Sequence, residues 1–251
     1  MQMVNQNKRV LVVGGSKGIG LSIVLKLIER GYDVDYTFNR SNEPGAAIDA
    51  ALERHGRKSS VRALRCDVSD PEDLDRVRQH AAEIKSTYHG LVYSAGVSAD
   101  GLVASTDLVK ARKLMDVNFW GFVSLYTSLY RYMDRNGGRI VAIGSIASQR
   151  HSAGNGVYAS SKAALAAYIR AIACENGRRG STANCVEPGY IDTEILDPYR
   201  ATLNVFEAKI PARRIGSTDQ VSGVVAFLLS EEGAYVNGAC VAVDGGLGAA
   251  L

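Results

Sequence analysis

The feature of this sequence that most constrains its fold is an alternation of short apolar runs with longer amphipathic stretches, which continues from Arg9 almost to the C-terminus. Short apolar runs rich in β-branched residues are typical of buried strands, and apolar residues that recur every three or four positions indicate helices. The alternation predicts seven strands and six main helices. The predicted strands are RVLVVG, DVDYTFN, VRALRCDV, GLVYSAG, GRIVAIGS, STANCVEPG and GACVAVDGG.

Such an alternation predicts an α/β fold in which a parallel sheet is covered by helices on both faces, because each crossover between parallel strands packs a helix on the sheet. No Pro-, Gly- or Ser-rich linker divides the sequence, and no internal repeat is visible. We therefore expect a single Rossmann-type, doubly wound domain over residues 1–251, built on a seven-stranded parallel sheet.

Composition excludes several classes of protein. The formal net charge is +3, which is too small to favour binding of nucleic acid. Apolar runs stay well below the roughly 18 residues that a membrane span needs, and the N-terminal segment does not resemble a signal peptide. The four cysteines show no metal-ligand spacing, so reduced thiols are expected and a metal site is not. We expect a cytoplasmic protein that binds neither nucleic acid nor membrane.

A glycine-rich turn joins the first predicted strand to the first predicted helix. The segment GGSKGIG places Gly14, Gly18 and Gly20 at this junction. Glycines here let the backbone approach a pyrophosphate, which then lies at the positive end of the helix. The strand before and the helix after are the context that such a motif requires, so the turn predicts a dinucleotide site.

A tyrosine and a lysine lie four residues apart in an alanine-rich predicted helix, GVYASSKAALAAYIRA. At this spacing Tyr158 and Lys162 share one helix face. Taken alone, the pair is better explained as a solvent-exposed surface pair, because any two residue types recur at this spacing by chance. The functional alternative is a proton donor, because a neighbouring ammonium group stabilises a phenolate and lowers the tyrosine pKa from about 10.

These features, taken together, resemble the short-chain dehydrogenase/reductase family. The matching segments are Gly14-xxx-Gly18-x-Gly20, Ser94-Ala95-Gly96, Asn118, Ser145, Tyr158-xxx-Lys162 and Pro188-Gly189 with Thr193, in the family's order and spacing. The resemblance implies an oxidoreductase that uses a nicotinamide cofactor. It makes Tyr158 the proton donor, with Lys162 stabilising the phenolate and holding the ribose. Ser145 would hydrogen-bond the substrate oxygen, and Asn118 would hold a water in a proton relay.

The resemblance also implies the cofactor contacts, with Asp67 and Val68 beside the adenine. The implied contacts are Gly14, Ser16, Lys17, Gly18, Ile19, Gly20, Asn39, Arg40, Asp67, Val68, Ser94, Ala95, Gly96, Tyr158, Lys162, Pro188, Gly189, Ile191 and Thr193. Val13 and Ser94 replace a threonine and an asparagine that brace the strands beneath the cofactor in the family. We expect these two departures to affect rigidity, not chemistry.

The end of the second strand predicts which nicotinamide cofactor is used. A carboxylate at this place would bind the ribose 2′-hydroxyl and repel a 2′-phosphate. The sequence here is Thr37-Phe38-Asn39-Arg40, which contains no carboxylate. Arg40 can grip a phosphate with its planar guanidinium, and Lys17 adds a second positive charge. We therefore expect NADP(H).

The segment 190–212 interrupts the alternation because it is too long for a simple turn. Apolar residues recur within it at roughly helical spacing. Long insertions beyond the carboxyl end of a strand are often lids over a binding site. A substrate lid and an extra helix packed on the body are equally compatible with this pattern.

The substrate is the least constrained part of the prediction. Within the family, the chain is most similar to 3-oxoacyl-[acyl-carrier-protein] reductases, which implies a ketone substrate on an acyl carrier protein and a homotetramer. Arg179, with Arg135 or Arg139, could form a basic docking patch for the carrier beside the active-site mouth, or could simply cap helices. A sugar, polyol or steroid dehydrogenase, and a non-catalytic NADP(H)-binding protein, stay as alternatives.

Overall fold

The computed structural model describes residues 8–40, 45–56, 59–84, 86–150 and 152–249. Its strands form one seven-stranded sheet in the order β3-β2-β1-β4-β5-β6-β7, and all neighbouring strands are parallel. The strands are β1 (Arg9–Val13), β2 (Asp33–Phe38), β3 (Val61–Arg65), β4 (Tyr88–Tyr93), β5 (Arg139–Ile143), β6 (Thr182–Pro188) and β7 (Cys240–Val243). The predicted doubly wound parallel sheet is confirmed.

Helices follow the strands as the alternation predicts. They are α1 (Gly18–Glu29), α2 (Gly45–Arg54), α3 (Pro71–Glu83), α4 (Leu108–Met115), α5 (Gly121–Leu129), α6 (Gly156–Asn176), α7 (Leu203–Lys209) and α8 (Thr218–Leu229). The sequence pattern indicated one long element from Asp107 to Met133. The structure instead places a single π-helical turn, Asp116–Trp120, between α4 and α5.

The sheet separates two hydrophobic cores. Leu11 and Tyr93 point to the face covered by α3, α5 and α6, whereas Val10 and Val92 point to the face covered by α1 and α8. All four of these side chains are fully buried. Because both faces of the sheet are covered, the central strands are continuous apolar runs rather than alternating ones.

One polar network is buried within the core beside β2. The fully buried carboxylate of Asp35 accepts hydrogen bonds from Arg9 Nη1 and Tyr88 Oη at 2.7 Å, and lies 2.8 Å from His80 Nε2. This carboxylate therefore links β1, β2, α3 and β4. Among the helices of the described residues, none is long and apolar enough to span a membrane.

The strand order places a crevice at one edge of the sheet. The chain leaves β1 toward one face through α1, and leaves β4 toward the other face through α4 and α5. Between these neighbouring strands the loops diverge, which opens a crevice outside their carboxyl ends. All the motifs identified in the sequence lie in loops and helix ends that follow strands at this edge.

Candidate active site

The turn between β1 and α1 has a backbone that glycine alone accommodates. Gly14 and Gly18 have positive φ angles of 79° and 53°, which side chains with a Cβ rarely adopt. A Cβ on Gly20 would collide with the carbonyl oxygen of Gly14. Ser16 and Ile19 lie in the same turn, half-buried. The cradle is therefore shaped by the absence of side chains, as a bound pyrophosphate requires.

The N-terminus of α1 faces this cradle without a competing group. Lys17 is the N-cap residue and its side chain makes no capping hydrogen bond. The first turn of α1 contains no acidic residue. Its free backbone N–H groups and positive dipole end are thus available to an anion.

The bracing that Val13 cannot supply comes from β2. The amide of Gly14 donates to Thr37 Oγ1 at 3.0 Å, and the amide of Gly15 donates to the Thr37 carbonyl at 2.9 Å. On the other side, the backbone amide of Ser94 donates to the Val13 carbonyl at 2.9 Å. The sequence analysis missed Thr37 because its pairing partner is known only once strand order is known.

The end of β2 meets the end of β3 in a polar cluster. Asn39 Nδ2 donates to Asp67 Oδ2 at 3.0 Å, and the amide and hydroxyl of Ser69 donate to Asp67 Oδ1 at 3.0 and 2.6 Å. These hydrogen bonds, that of the Ser69 hydroxyl foremost, lower the pKa of Asp67. The next residue, Val68, is buried. A fixed carboxylate is thereby held at the predicted adenine position.

Three cations lie around the predicted site for the 2′-phosphate. Arg40 is exposed at the end of β2. Lys17 is also exposed and forms an ion pair with Glu194 at 2.5 Å. The sequence analysis missed Arg65, which ends β3 and whose Nε lies 3.5 Å from the Asn39 carbonyl oxygen. Strand pairing brings Arg65 to this edge.

Ser145 and Tyr158 are brought together at the start of α6. Ser145 caps a short 3-10 turn, Ile146–Ser148, by accepting a hydrogen bond from the Ala147 amide at 3.2 Å. Burial raises the pKa of Tyr158, and its hydrogen bond with Ser145 opposes that rise. The expected lowering of this pKa by Lys162 is not found, and it is the hydrogen bond with Ser145 that opposes the effect of burial.

Lys162 lies beneath the tyrosine, one turn along α6. It is 4% exposed, and its Nζ donates to the Ile143 carbonyl at 2.8 Å. The same Nζ lies 5.9 Å from the centroid of the Tyr158 ring. Burial lowers the pKa of Lys162 to about 8. The shared helix face predicted for the two residues is confirmed; Lys162 is buried, and Tyr158 is half-buried at the crevice.

Asn118 lies in the π-helical turn, fully buried. Its Oδ1 accepts from the Val97 amide at 2.8 Å, and its Nδ2 donates to the Val97 carbonyl at 2.9 Å and to Ser161 Oγ at 3.0 Å. Asn118 therefore fixes the chain that follows Ala95 and Gly96. A Cβ on Gly96 would lie 3.2 Å from Lys162 Nζ, so this segment borders the catalytic side chains.

The Pro188-Gly189 segment closes the other side of the crevice. Gly189 packs against Asp244, where a Cβ on the glycine would lie 2.8 Å from the aspartate Cβ. Ile191 is buried, and Thr193 Oγ1 donates to the Ile191 carbonyl at 3.3 Å. The Thr193 methyl group reaches the glycine turn, 3.5 Å from where a Cβ of Gly18 would be.

The segment 190–212 contains a 3-10 helix, Glu194–Thr202, followed by α7. Besides the ion pair of Glu194 with Lys17, its Tyr199 hydroxyl hydrogen-bonds Asp100 across the crevice. Phe206 packs against Tyr199 and Tyr190, with ring centroids 5.7 and 4.6 Å apart. The segment thus contacts both walls of the crevice.

The predicted basic patch does not lie at this crevice. Arg139 is 3% exposed and donates to the carbonyls of Gly137 and Gly180, so its assignment to a docking patch is wrong. Arg179 and Arg135 flank Tyr130 beyond the C-terminus of α6. A helix of 21 residues spans about 30 Å. The patch is therefore at the opposite end of α6 from Tyr158 within one subunit.

Comparisons with known proteins find relatives that match nearly the whole chain. The sequence profile described as enoyl-(acyl carrier protein) reductase matches residues 13–248. The 3-oxoacyl-[acyl-carrier-protein] reductase MabA of Mycobacterium tuberculosis is 34% identical over 244 residues, covering 96% of this chain and 93% of MabA. FabG of Escherichia coli, named as the same reductase, is 32% identical over 248 residues, covering 96% and 98%.

Solved structures of other proteins share the fold over nearly the whole chain. A short-chain dehydrogenase/reductase from Serratia marcescens superposes with a TM-score of 0.90 at 31% identity, covering 97% of this chain and 98% of that chain. A blue fluorescent protein from a metagenomic library, in complex with NADPH, has a TM-score of 0.88 at 32% identity, covering 98% and 99%. Levodione reductase has a TM-score of 0.89 at 26% identity, covering 97% and 98%.

Proposed function

Because this chain belongs to the short-chain dehydrogenase/reductase family, we propose that it reduces a 3-oxoacyl thioester, carried on an acyl carrier protein, to the 3-hydroxyacyl thioester with NADPH. Its class is oxidoreductase and its cofactor a nicotinamide nucleotide. The proposal concerns the substrate, the choice of NADPH, the roles of individual residues and the assembly.

The observation that carries the substrate class is the apolar rim of the crevice. Leu102 and Val103 are 63% and 80% exposed, and Val103 lies beside Gly156, two residues before Tyr158. Ile195, on the facing segment, is 57% exposed. Exposed apolar side chains grouped at the mouth of a site indicate an apolar ligand. An alkyl chain gains by contact with this rim, whereas the hydroxyl groups of a sugar find no hydrogen-bond partners among these side chains.

The glycine cradle fits a dinucleotide, since the N-terminus of α1 faces it and the first turn of this helix contains no acidic residue. When bound, the cofactor supplies the hydride that reduces the carbonyl carbon. Support for NADPH comes from the cations Arg40, Lys17 and Arg65 and from the lack of a carboxylate at the end of β2. Lys17 would exchange its ion pair with Glu194 for one with the 2′-phosphate.

Proton transfer falls to Tyr158. Its phenol is protonated near neutral pH, as reduction of a ketone requires, although burial raises its pKa and so opposes release of the proton. Ser145 Oγ accepts a hydrogen bond from the Ala147 amide, and its hydroxyl, which hydrogen-bonds Tyr158, would donate to the substrate oxygen when that oxygen enters the site. The buried ammonium of Lys162 stabilises the phenolate left after transfer. Asn118 holds the loop that borders these groups, and its place in a proton relay stays a prediction.

We also propose that the segment 190–212 acts as a lid. Its two contacts across the crevice, Glu194 with Lys17 and Tyr199 with Asp100, join groups on the surface that can separate to admit ligands. Exposed ion pairs contribute little stability, about 0–1 kcal/mol, so opening costs little at these points.

The remaining proposals concern assembly and location. A homotetramer is supported by the resemblance and by an exposed apolar groove of about 280 Å³ between α4 and α6. Arg179 can serve a carrier protein only at the mouth of a neighbouring subunit, because it is remote from Tyr158 in its own chain. A cytoplasmic location stays a prediction.

The proposed function is tested by following NADPH oxidation with three kinds of substrate: a carrier-linked 3-oxoacyl thioester, a short soluble 3-oxoacyl thioester, and a panel of simple ketones and sugars. We expect both thioesters to be reduced, and the carrier-linked one at lower concentration. Faster turnover of a sugar or polyol with NADP⁺ would contradict the proposal. Absence of turnover with any substrate would favour a non-catalytic protein.

A further inference from the structure

Three side chains of metal-ligating type meet between the sheet and α6. Cys185 and Glu187 are two residues apart on β6 and so face the same side, and Cys240 on β7 is in register with Cys185. Both sulfur atoms and a carboxylate oxygen of Glu187 lie within 4.8 Å of one another. The cysteines are far apart in the sequence, and it is the pairing of β6 with β7 that brings them together.

The cluster is shielded by the fold but reachable. Cys185 is fully buried and Glu187 is 2% exposed, whereas Cys240 is only partly buried at the edge of the sheet. Arg170 Nη2 donates to Cys240 Sγ at 3.1 Å from the solvent side. The cluster is therefore closed toward the core and open toward solvent on the side of Cys240 and Arg170.

We propose that Cys185, Glu187 and Cys240 form a binding site for a soft divalent cation such as zinc or cadmium, with water as the fourth ligand. Two thiolates and a carboxylate form a donor set that suits zinc. Each thiol releases its proton to solvent on binding, and no oxidant is involved. At a zinc–sulfur distance of about 2.3 Å, tetrahedral sulfurs are about 3.8 Å apart. Since all three donor atoms lie within 4.8 Å of one another, small side-chain rotations would bring them onto one cation.

Hydrogen bonds already present suit the bound state. Each Glu187 oxygen accepts one hydrogen bond, from Ser148 Oγ or from Gln149 Nε2, both at 2.7 Å. A carboxylate oxygen has a second lone pair that remains free for a cation. Arg170 can stay as a donor to the coordinated sulfur, as outer partners of metal ligands commonly do.

The cluster adjoins the turn that carries the catalytic serine. Ser148 and Gln149 end the turn that Ser145 caps. Gly144, which precedes Ser145, is so close to Cys185 that a Cβ on it would lie 2.5 Å from the sulfur. Contraction of the cluster around a cation would therefore move groups that hold Ser145, and we expect kcat to fall while the affinity for NADPH is retained.

The binding test uses the full-length, reduced, metal-free protein titrated with Cd²⁺, followed by thiolate-to-cadmium charge-transfer absorption. We expect one Cd²⁺ per chain. Cys240→Ser should abolish the band and Glu187→Gln should weaken affinity at least tenfold, whereas Cys174→Ser, which alters the exposed cysteine of α6, should leave binding unchanged. An undiminished band in Cys240→Ser would overturn the proposal. The partly exposed position of Cys240 makes this variant less disruptive than one at Cys185.

A second measurement tests the link to Ser145. Zinc should lower kcat of the wild-type enzyme severalfold and leave Cys240→Ser unaffected, with the KM for NADPH unchanged in both. If cadmium binds as expected but zinc leaves kcat unchanged, the link to the Ser145 turn is wrong. The titration needs no turnover, so failure of the proposed ketoreductase activity and failure of the metal site are separate results.

Discussion

At Tyr158, burial and the hydrogen bond with Ser145 act on the phenol pKa in opposite directions, and burial prevails. The Tyr158 phenol is therefore protonated at neutral pH even when no ligand is bound. Tyr158→Phe removes the donor and keeps the ring. We expect kcat to fall by about 10²–10⁴-fold, as for loss of a general acid, with the Kd for NADPH nearly unchanged by fluorescence titration. Retention of more than a tenth of the wild-type kcat would contradict the assignment.

Burial of the charged Lys162 side chain lowers the free energy of unfolding. Burial lowers its pKa from 10.5 to about 8, which corresponds to about 3 kcal/mol at 1.36 kcal/mol per pKa unit. Below pH 8 the lysine is charged in both states, and the folded state bears the full cost. Between pH 8 and 10.5 the folded protein binds fewer protons than the unfolded chain, so stability contributed by this group rises with pH.

Replacing this lysine should therefore stabilise the fold while removing activity. Lys162→Met is expected to raise the free energy of unfolding at pH 7 by about 2 kcal/mol, after allowing about 1 kcal/mol for the lost hydrogen bond to Ile143. The gain should shrink as the pH rises toward 10. Urea unfolding at both pH values measures it, with the exposed Lys113→Met as the control. Equal gains at both pH values would assign the effect to packing.

Arg40 tests the choice of cofactor. An aspartate in its place repels a 2′-phosphate and can accept a hydrogen bond from a ribose hydroxyl. Loss of one charged contact costs about 1.5–3 kcal/mol, so Arg40→Asp should reduce the kcat/KM preference for NADPH over NADH by about ten- to a hundredfold. Arg54→Asp, an equal charge change on α2, should not alter it. An unchanged ratio in Arg40→Asp would leave Arg65 and Lys17 as the groups to test.

At the scale of elements, the buried carboxylate of Asp35 joins β2 to β1, α3 and β4. Its removal would leave the Tyr88 hydroxyl without its acceptor. It would also take from Arg9 its buried partner, leaving Asp33 and Ser60, and breaking a buried ion pair typically costs about 3–5 kcal/mol. Asp35→Ala should lower the free energy of unfolding by about that amount and leave kcat unchanged below the melting temperature. Asp33→Ala affects a partly exposed partner of the same arginine and should cost about 1 kcal/mol. Similar losses in the two variants would contradict the role of burial.

The elements themselves were predictable because buried parallel strands are continuous apolar runs. A run such as Val10–Val13 is short enough for a strand, and the longer stretch that follows it has the apolar spacing of a helix. The π-helical turn at Asn118 was not, since one added residue leaves the apolar spacing of a long helix nearly unaltered. Nor was the burial of Asp35. Polar residues at alternate positions of β2 indicate a solvated face, whereas α3 covers that face.

The residues of the candidate site likewise fall into those that sequence spacing predicts and those that depend on tertiary structure. Tyr158 and Lys162 share one helix and the glycine turn is local, so sequence spacing alone brings these residues together. Thr37, Arg65 and the cluster of Cys185 with Cys240 depend on which strands are neighbours and in what register. That information enters only through the packing of the whole sheet. The buried place of Arg139 likewise follows from tertiary contacts with the loop at Gly180.

At the scale of the whole molecule, an apolar surface formed by α4, the π-helical turn and the start of α6 is exposed among the described residues. Trp120 and Leu108 are 53% and 65% exposed and line the groove with Met115 and Val157. Large exposed apolar patches are uncommon on monomers. In the proposed tetramer this surface packs against its copy on a second subunit.

Trp120→Glu should therefore split the tetramer into dimers, because a carboxylate buried without a partner destabilises an interface. Light scattering coupled to gel filtration measures the mass, and circular dichroism checks that the variant is folded. Val205→Glu makes the same change at a half-exposed apolar residue of α7 and should leave the tetramer intact. A folded Trp120→Glu variant that stays tetrameric would place the contact elsewhere, and a monomeric wild-type protein would exclude the assembly altogether.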